Sequence, residues 1–166
     1  MKEIENRRSI RKYINKEISN EIIDDLITYG SMAPSAHNKQ HWYYVVVRGE
    51  LKNKIGDLLI NGDRNSVIVT ANVIKECSAL ILVYNNEEEY FAHMSIGASI
   101  ENILLRATEL DLGTLWIGYI VKVADEVNKL VNIDKELISA IAVGYKDEEP
   151  IKRPRKTLDE IRKYID

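Results

Sequence analysis

The run from Phe91 to Leu110 restricts the fold more than any other part of the chain. It has helical length and composition, with Met94, Ile96, Ala98, Ile100, Ile103, Leu104, Leu105, Ala107 and Leu110 spread around most of the circumference. A helix that is apolar on most sides must be covered on most sides, so this one is expected to be central. Gly97, Ala98 and Ser99 keep its middle slim enough for another backbone to approach, either a neighbouring helix or a partner subunit. Whatever covers it has to come from the sheet and helices that the remaining segments can form.

Three segments have strand character. Trp42 to Arg48 carries the β-branched Val45, Val46 and Val47, Ala79 to Tyr84 is nearly unbroken in hydrophobicity, and Leu137 to Tyr145 contains Ile138, Ala140, Ile141, Ala142 and Val143. Around them the spacing predicts helices. Lys2 to Asn6 forms a short one. Ser19 caps a second, with Ile22, Ile23, Leu26 and Ile27 in one stripe, Ile18 packing on Ile23 as a staple, and Gly30 ending it. Helices are also expected from about Glu50 to Asn61, before a break at Gly62-Asp63, and over Asp125 to Leu130, while Thr157 to Glu160 has the capping-box pattern that opens a last one. Val67 to Ile74 is β-branched but lacks turn signals, which leaves it open between strand and helix. Ser31 to Gln40 and Asn85 to Glu89 read as loops, Gly113 as a C-cap, and Leu115 to Tyr119 as an apolar connection. Helices falling between strands predict an α/β or α+β layer with a buried central helix. No repeat or linker divides the 166 residues, so a single domain spanning 1–166 is expected.

Charge narrows the function. With 23 basic against 26 acidic residues, the chain lacks the excess that binding to nucleic acid by phosphate neutralisation demands. No apolar run approaches the roughly 20 residues that cross a bilayer, and Met1 to Glu5 lacks the apolar centre of a secretory signal, so a cytoplasmic, non-membrane setting is expected. Cys77, the single cysteine, can form neither an internal disulfide nor a cysteine-based metal site; it is placed at the start of a buried strand with no chemical role. Yet two dense basic clusters stand at opposite ends, Arg7-Arg8-Ser9-Ile10-Arg11-Lys12-Tyr13 and Lys152-Arg153-Pro154-Arg155-Lys156. Either alone is compatible with a solvated helix end. Together, guanidinium groups beside a hydroxyl suit the oxygens of a phosphate or another small anion.

Nucleophilic machinery is missing. No glycine-flanked serine elbow occurs, and His37, His41 and His93 follow no triad pattern. His37 and His41 share an i, i+4 interval but straddle a loop without a suitable carboxylate, so no metal site is expected. Neither GxGxxG nor GxxxxGK[ST] is present to hold a phosphate. Such a chain is expected to take its chemistry from a cofactor.

Four motifs in order then carry a resemblance. They are Arg7 to Tyr13, Ala33 to Trp42, Asn102 to Gly118 ending Leu112-Gly113-Thr114-Leu115-Trp116-Ile117-Gly118, and Arg153 to Lys156. From Ile4 to Ile161 the chain resembles the FMN-dependent nitroreductase family. The resemblance implies an α+β fold with a central, mostly antiparallel sheet surrounded by helices, and a homodimer with FMN at each of two sites across the subunit interface. By motif match it implies that Arg7, Arg8, Ser9 and Arg11 hold the phosphate, ribityl chain and pyrimidine edge, and that Arg153 and Arg155 close over the phosphate. Pro34, Ser35, Ala36 and Asn38 resemble the loop contributed by the other subunit, and Leu115, Trp116, Ile117 and Gly118 would line the ring mostly through backbone groups.

The implied reaction passes electrons from NADH or NADPH through the flavin to a nitroaromatic, quinone or related small acceptor by a ping-pong mechanism. Reduction leaves negative charge near N1 and the C2 carbonyl of a flavin, and a fixed cation there stabilises it; Arg11 is the candidate, with Arg7 next. A flavin store or sensor, and a dehalogenase or dehydrogenase on the same scaffold, are the alternatives. The chain departs from the family pattern at His41, where proline is usual, and at Ser95, where an acidic residue is expected. It also lacks room for a long covering insertion, which predicts an open acceptor face with Tyr90, Phe91 and His93 as candidates for its rim. Asn72 is a loose match to a family asparagine.

Overall fold

The computed structural model describes residues 2–60, 65–87 and 89–165. Four strands form one sheet: β1 (Trp42–Val47), β2 (Ala79–Asn85), β3 (Leu112–Ile117) and β4 (Glu136–Tyr145), in the order β1-β2-β4-β3 with every pair antiparallel. The interior strands β2 and β4 have the unbroken apolar runs because both of their faces are covered.

One face carries α2 (Asn20–Ser31) and α5 (Ala92–Glu109), whose Leu26, Ile96, Ile100 and Ile103 pack on Ile81, Val83, Ile141 and Val143. The other carries α3 (Gly49–Ile60), α4 (Asn65–Glu76) and α6 (Ala124–Val131), with Ile55, Leu59, Ala71, Ile74 and Val127 against Leu80, Leu82, Tyr84, Ala140 and Ala142. α1 (Lys2–Asn6) rests on α5, and α7 (Leu158–Ile161) is an exposed turn near the end. This is the expected α+β architecture with an antiparallel sheet between helices. α5 is the longest helix and the core of its layer, but this chain covers it along one side only. Met94 remains 71% exposed, and Gly97, Ala98 and Leu105 are half-buried.

Local predictions met different ends. Ser19 caps α2, accepting from the Ile22 amide at 3.4 Å, with Ile18 and Ile23 both buried beside it. The capping box at Thr157 and Glu160 is also formed. Gly30 does not stop α2, which runs on to Ser31; it marks where α5 crosses, since a Cβ there would sit 2.7 Å from Ile103 Cγ1. Gly113 is no C-cap either. It lies inside β3, and the left-handed residue after α5 is Asp111 at φ 57°. The apolar stretch from Leu112 is therefore a fourth strand rather than a connection. Val67 to Ile74 is helical because Val67, Ala71 and Ile74, at i, i+4 and i+7, face the core together. Cys77 is buried between α4 and β2, ahead of the strand. Asn61 and the Gly62-Asp63 break lie outside the described residues.

Candidate cofactor-binding site

Two glycines position the N-terminal basic cluster. Gly113 and Gly144 are direct cross-strand partners, and their missing side chains open a slot on the sheet. A Cβ on Gly113 would fall 2.7 Å from Ile10 Cγ2, and one on Gly144 would fall 2.6 Å from Tyr13 Cδ1. Ile10 and Tyr13 fill that slot and are buried, while Arg11 and Lys12 between them point to solvent. Backbone bonds fix the register: Ile10 N–H donates to Thr114 O at 2.9 Å, and Ile14 N–H to Tyr145 O at 2.9 Å. The Tyr13 hydroxyl donates to Ile10 O at 3.0 Å, and burial raises its pKa well above the ordinary phenol value. Two buried side chains flanking two exposed basic ones thus give the segment one anchored and one charged side.

The C-terminal cluster arrives by the same route. Beyond β4 the chain continues antiparallel to residues 12–14, with an isolated bridge between Tyr13 and Lys146 and a bond from Asp147 N–H to Lys12 O at 3.0 Å. The Glu148 carboxylate accepts the Arg11 backbone N–H, and Lys146 ties the turn to Asp111 at 2.9 Å and to Glu149 at 2.6 Å. Pro150 to Arg155 then pass beside the end of α1. The result is one cavity of about 470 Å³ whose lining includes Arg7, Arg8, Ser9, Arg11, Lys152, Arg153 and Arg155, with Glu5 as the one acid.

Part of this positive charge is committed and part is not. Arg8 donates to Glu5 O at 2.7 Å and to Arg7 O at 2.8 Å, satisfying the open end of α1. Arg11 Nη1 donates to Ser9 O at 3.2 Å, and Arg7 Nε lies 3.7 Å from Glu101. Among the described residues, Lys152, Arg153 and Arg155 have no carboxylate or carbonyl partner. A cavity with this surplus of unneutralised donors can grip a polyanion of phosphate size.

Next to the cavity runs the free edge of the sheet. Ser9 bridges to Thr114, whose carbonyl points away from β4; two residues on, Trp116 therefore turns its N–H and C=O toward the same unpaired edge. Leu115 and Ile117 bury their side chains against the α3 and α4 layer, and the Ile117 carbonyl accepts from Ser139 Oγ at 3.1 Å. The Trp116 ring lies on the opposite face, 3.9 Å from where a Gly97 Cβ would be. Gly118 is exposed where the strand gives way to a 3-10 segment. Of the four residues expected along a ring, Trp116 turns backbone groups to the free edge, whereas Leu115 and Ile117 turn theirs toward β4 and their side chains into the core.

Pro34, Ser35, Ala36 and Asn38 are not brought to this cavity by their own chain. They precede β1, around a 3-10 turn at Ala36–Asn38, with left-handed backbone at His37, Asn38 and Gln40. Ser35 Oγ accepts from Gln40 N–H at 3.0 Å. His41 is wholly buried and reaches Glu89 Oε2 through Nε2 at 2.7 Å, a bond that holds the Glu89 carboxyl below its ordinary range. It thereby joins this loop to the one before α5. Ser95 is buried and donates to Phe91 O at 3.2 Å, and Asn72 is exposed on α4, away from the cavity lining. Among the described residues no group of three His, Cys, Asp or Glu side chains could hold a metal, and no helix is long and apolar enough to cross a membrane. Sequence reasoning missed Glu148 and Gly144, which hold the two clusters together. Gly144 left a signal, because an isolated glycine inside an apolar strand marks a close approach.

Fold and site define an α+β protein that gathers the cations of both chain ends beside an open sheet edge. The chain belongs to the Nitroreductase family, whose model matches residues 4–145. A protein of Archaeoglobus fulgidus provisionally named NADH dehydrogenase/NAD(P)H nitroreductase is 30% identical over 159 residues, covering 90% of this chain and 86% of that protein. Among solved structures, a provisionally named nitroreductase of Desulfovibrio desulfuricans in complex with FMN superposes with a TM-score of 0.85 at 24% identity, covering 99% of this chain and 95% of the other. The FMN-dependent nitroreductase NfnB of Mycobacterium smegmatis in complex with NADPH superposes with a TM-score of 0.84 at 17% identity, covering 99% and 97%.

Proposed function

We propose that this protein is an FMN-dependent oxidoreductase that takes electrons from NADH or NADPH and passes them to a nitroaromatic, quinone or related small acceptor in a ping-pong cycle, residues 1–166 acting as one FMN-binding domain. The observation that carries the reading is the cavity in which Arg7, Arg8, Ser9 and Arg11 meet Arg153 and Arg155. Its donors match a phosphomonoester, and the unpaired β3 edge beside it offers the alternating N–H and C=O groups that a flavin pyrimidine requires. FMN fits the residues present.

In this reading Arg153, Arg155 and the Arg7 to Ser9 segment hold the phosphate and ribityl chain. Trp116 and Gly118 line the ring, largely with backbone, on a strand that Leu115 and Ile117 anchor in the core. Arg11 is the cation that stabilises the charge reduction leaves on the pyrimidine side. When bound, FMN supplies two-electron transfer between nicotinamide and acceptor; the side chains bind, orient and balance charge.

A homodimer completes the site. Pro34, Ser35, Ala36 and Asn38 would reach the flavin of a second subunit, since they do not reach their own cavity. Leu105, Met32 and the tail residues Ile151, Leu158 and Ile161 are apolar and uncovered or only partly covered in a single chain, as a subunit contact would leave them. The test is spectroscopic. Purified protein should carry the yellow absorption of FMN, bleach with NADH or NADPH, and recover on adding a nitroaromatic or a quinone. A protein that binds no FMN would contradict the proposal.

A further inference from the structure

His93, Gly97 and Glu101 stand one turn apart on a single face of α5. Each meets a different part of the surface already described. Glu101 lies 3.7 Å from Arg7, Gly97 faces the Trp116 ring, and His93 Nε2 lies 3.1 and 3.2 Å from the two carboxylate oxygens of Glu136 at the start of β4. The face therefore leads from the basic cavity, past the sheet edge, to a histidine about 5–6 Å farther along the helix. Neither the phosphate cradle nor the ring edge uses that histidine.

The pair is built from below. Asn85 is buried, its side-chain amide donates to Glu136 Oε2 at 3.0 Å, and its Oδ1 accepts from the Glu87 amide at 3.2 Å. Asn85 thus orients the carboxylate, and the carboxylate orients the imidazole, the arrangement of a base steered by a third group. Nε2 is occupied by Glu136. Nδ1 has no protein partner among the described residues, and the His93 side chain is 61% exposed. Beside it lie three solvent-facing apolar side chains: Tyr90 and Phe91, whose rings meet edge to face with centroids 4.9 Å apart, and Met94. His93 also falls in the first turn of α5, where the positive end of the helix favours an oxygen that is gaining negative charge.

We infer that His93, oriented by Glu136 and Asn85, hydrogen-bonds and protonates the oxygen of the electron acceptor, while the planar aromatic body of that acceptor lies on Tyr90, Phe91 and Met94. The inference rests on the function proposed above and gives its acceptor site a chemistry: an aromatic ring bearing an oxygen that becomes basic on reduction. A quinone takes up two electrons and two protons. One proton accompanies the hydride equivalent that originates in NAD(P)H; the other moves from His93 Nδ1 to the quinone oxygen, an O–H bond forming as the N–H bond breaks. The neutral imidazole regains its proton from water. Glu136 acts as a positioning residue throughout.

The test separates the two half-reactions by stopped flow and adds a binding readout. In His93→Gln, re-oxidation of the NADH-reduced holoprotein by 1,4-benzoquinone should slow about 100-fold, the usual scale of a lost general acid. Bleaching by NADH and FMN affinity should stay within about twofold. Glu136→Gln should slow re-oxidation about tenfold, as expected when only the orientation of the imidazole is lost. In the oxidised holoprotein, benzoate, an aromatic oxyanion that cannot be reduced, should shift the His93 ring resonances in a saturable way. Unchanged re-oxidation in His93→Gln, loss of FMN from that variant, or unmoved His93 resonances would each overturn the inference. Failure of the broader function looks different, because wild-type protein would then lack FMN or resist bleaching.

Discussion

Tyr13 occupies the space that a side chain on Gly144 would need, and Ile10 does the same at Gly113. Replacing Gly144 with Ala should therefore push the basic segment off the sheet at a cost of about 1–3 kcal/mol, the range for overpacking, and weaken FMN binding in the same protein. Urea unfolding and a fluorescence titration on one sample would check both. These glycines also show where single-residue reading stops. Gly113 follows a long helix by a few residues and so resembles a C-cap, but Asp111 adopts the left-handed conformation instead. What distinguishes the two cases is a contact with Ile10, about a hundred residues away, which no local pattern contains. Cys77 allows a second prediction. Burial pushes its thiol up to about 11, so the fold favours the neutral form. That contribution is complete below the ordinary thiol pKa of about 8.5 and disappears as pH rises toward the folded value. Stability should fall between about pH 9 and 11, and iodoacetamide at neutral pH should label Cys77 only after unfolding.

At the scale of elements, β2, β4, α2 and α5 were legible because each carries its own period or an unbroken apolar run. α4 was not. Its β-branched stretch has strand composition, and only packing of Val67, Ala71 and Ile74 on the sheet decides for helix. β3 was hidden for the opposite reason: Leu112 to Ile117 pairs with β4 on one side, while among the described residues its other edge meets only the short Ser9-Ile10 segment. That half-open strand is the part of the sheet the site requires. The tail is an element held by few bonds, chief among them the Glu148 carboxylate on the Arg11 amide. Glu148→Ala should lower FMN affinity about tenfold, the scale of one charge-assisted hydrogen bond. It should also speed tryptic cleavage after Lys152 and Arg155, with the unfolding midpoint unchanged.

For the whole molecule, the meeting of the two basic clusters was expected from the motif order, and one cavity does hold both; the route was not legible, since the path from β4 back across residues 11–14 is a tertiary fact. Apolar residues left partly covered on α5 and uncovered along the tail extend the account to a second subunit. Sedimentation should find a dimer, and a monomer retaining FMN would contradict that part. The central claim is that cations from both termini grip one cofactor, and it is tested most directly by titrating FMN into the Arg153→Ala/Arg155→Ala double variant while following flavin fluorescence. The account predicts an affinity loss of about 100-fold or more, the scale of two charged hydrogen bonds, with circular dichroism and thermal unfolding unchanged. FMN affinity within about twofold of the wild type in a folded double variant would contradict it.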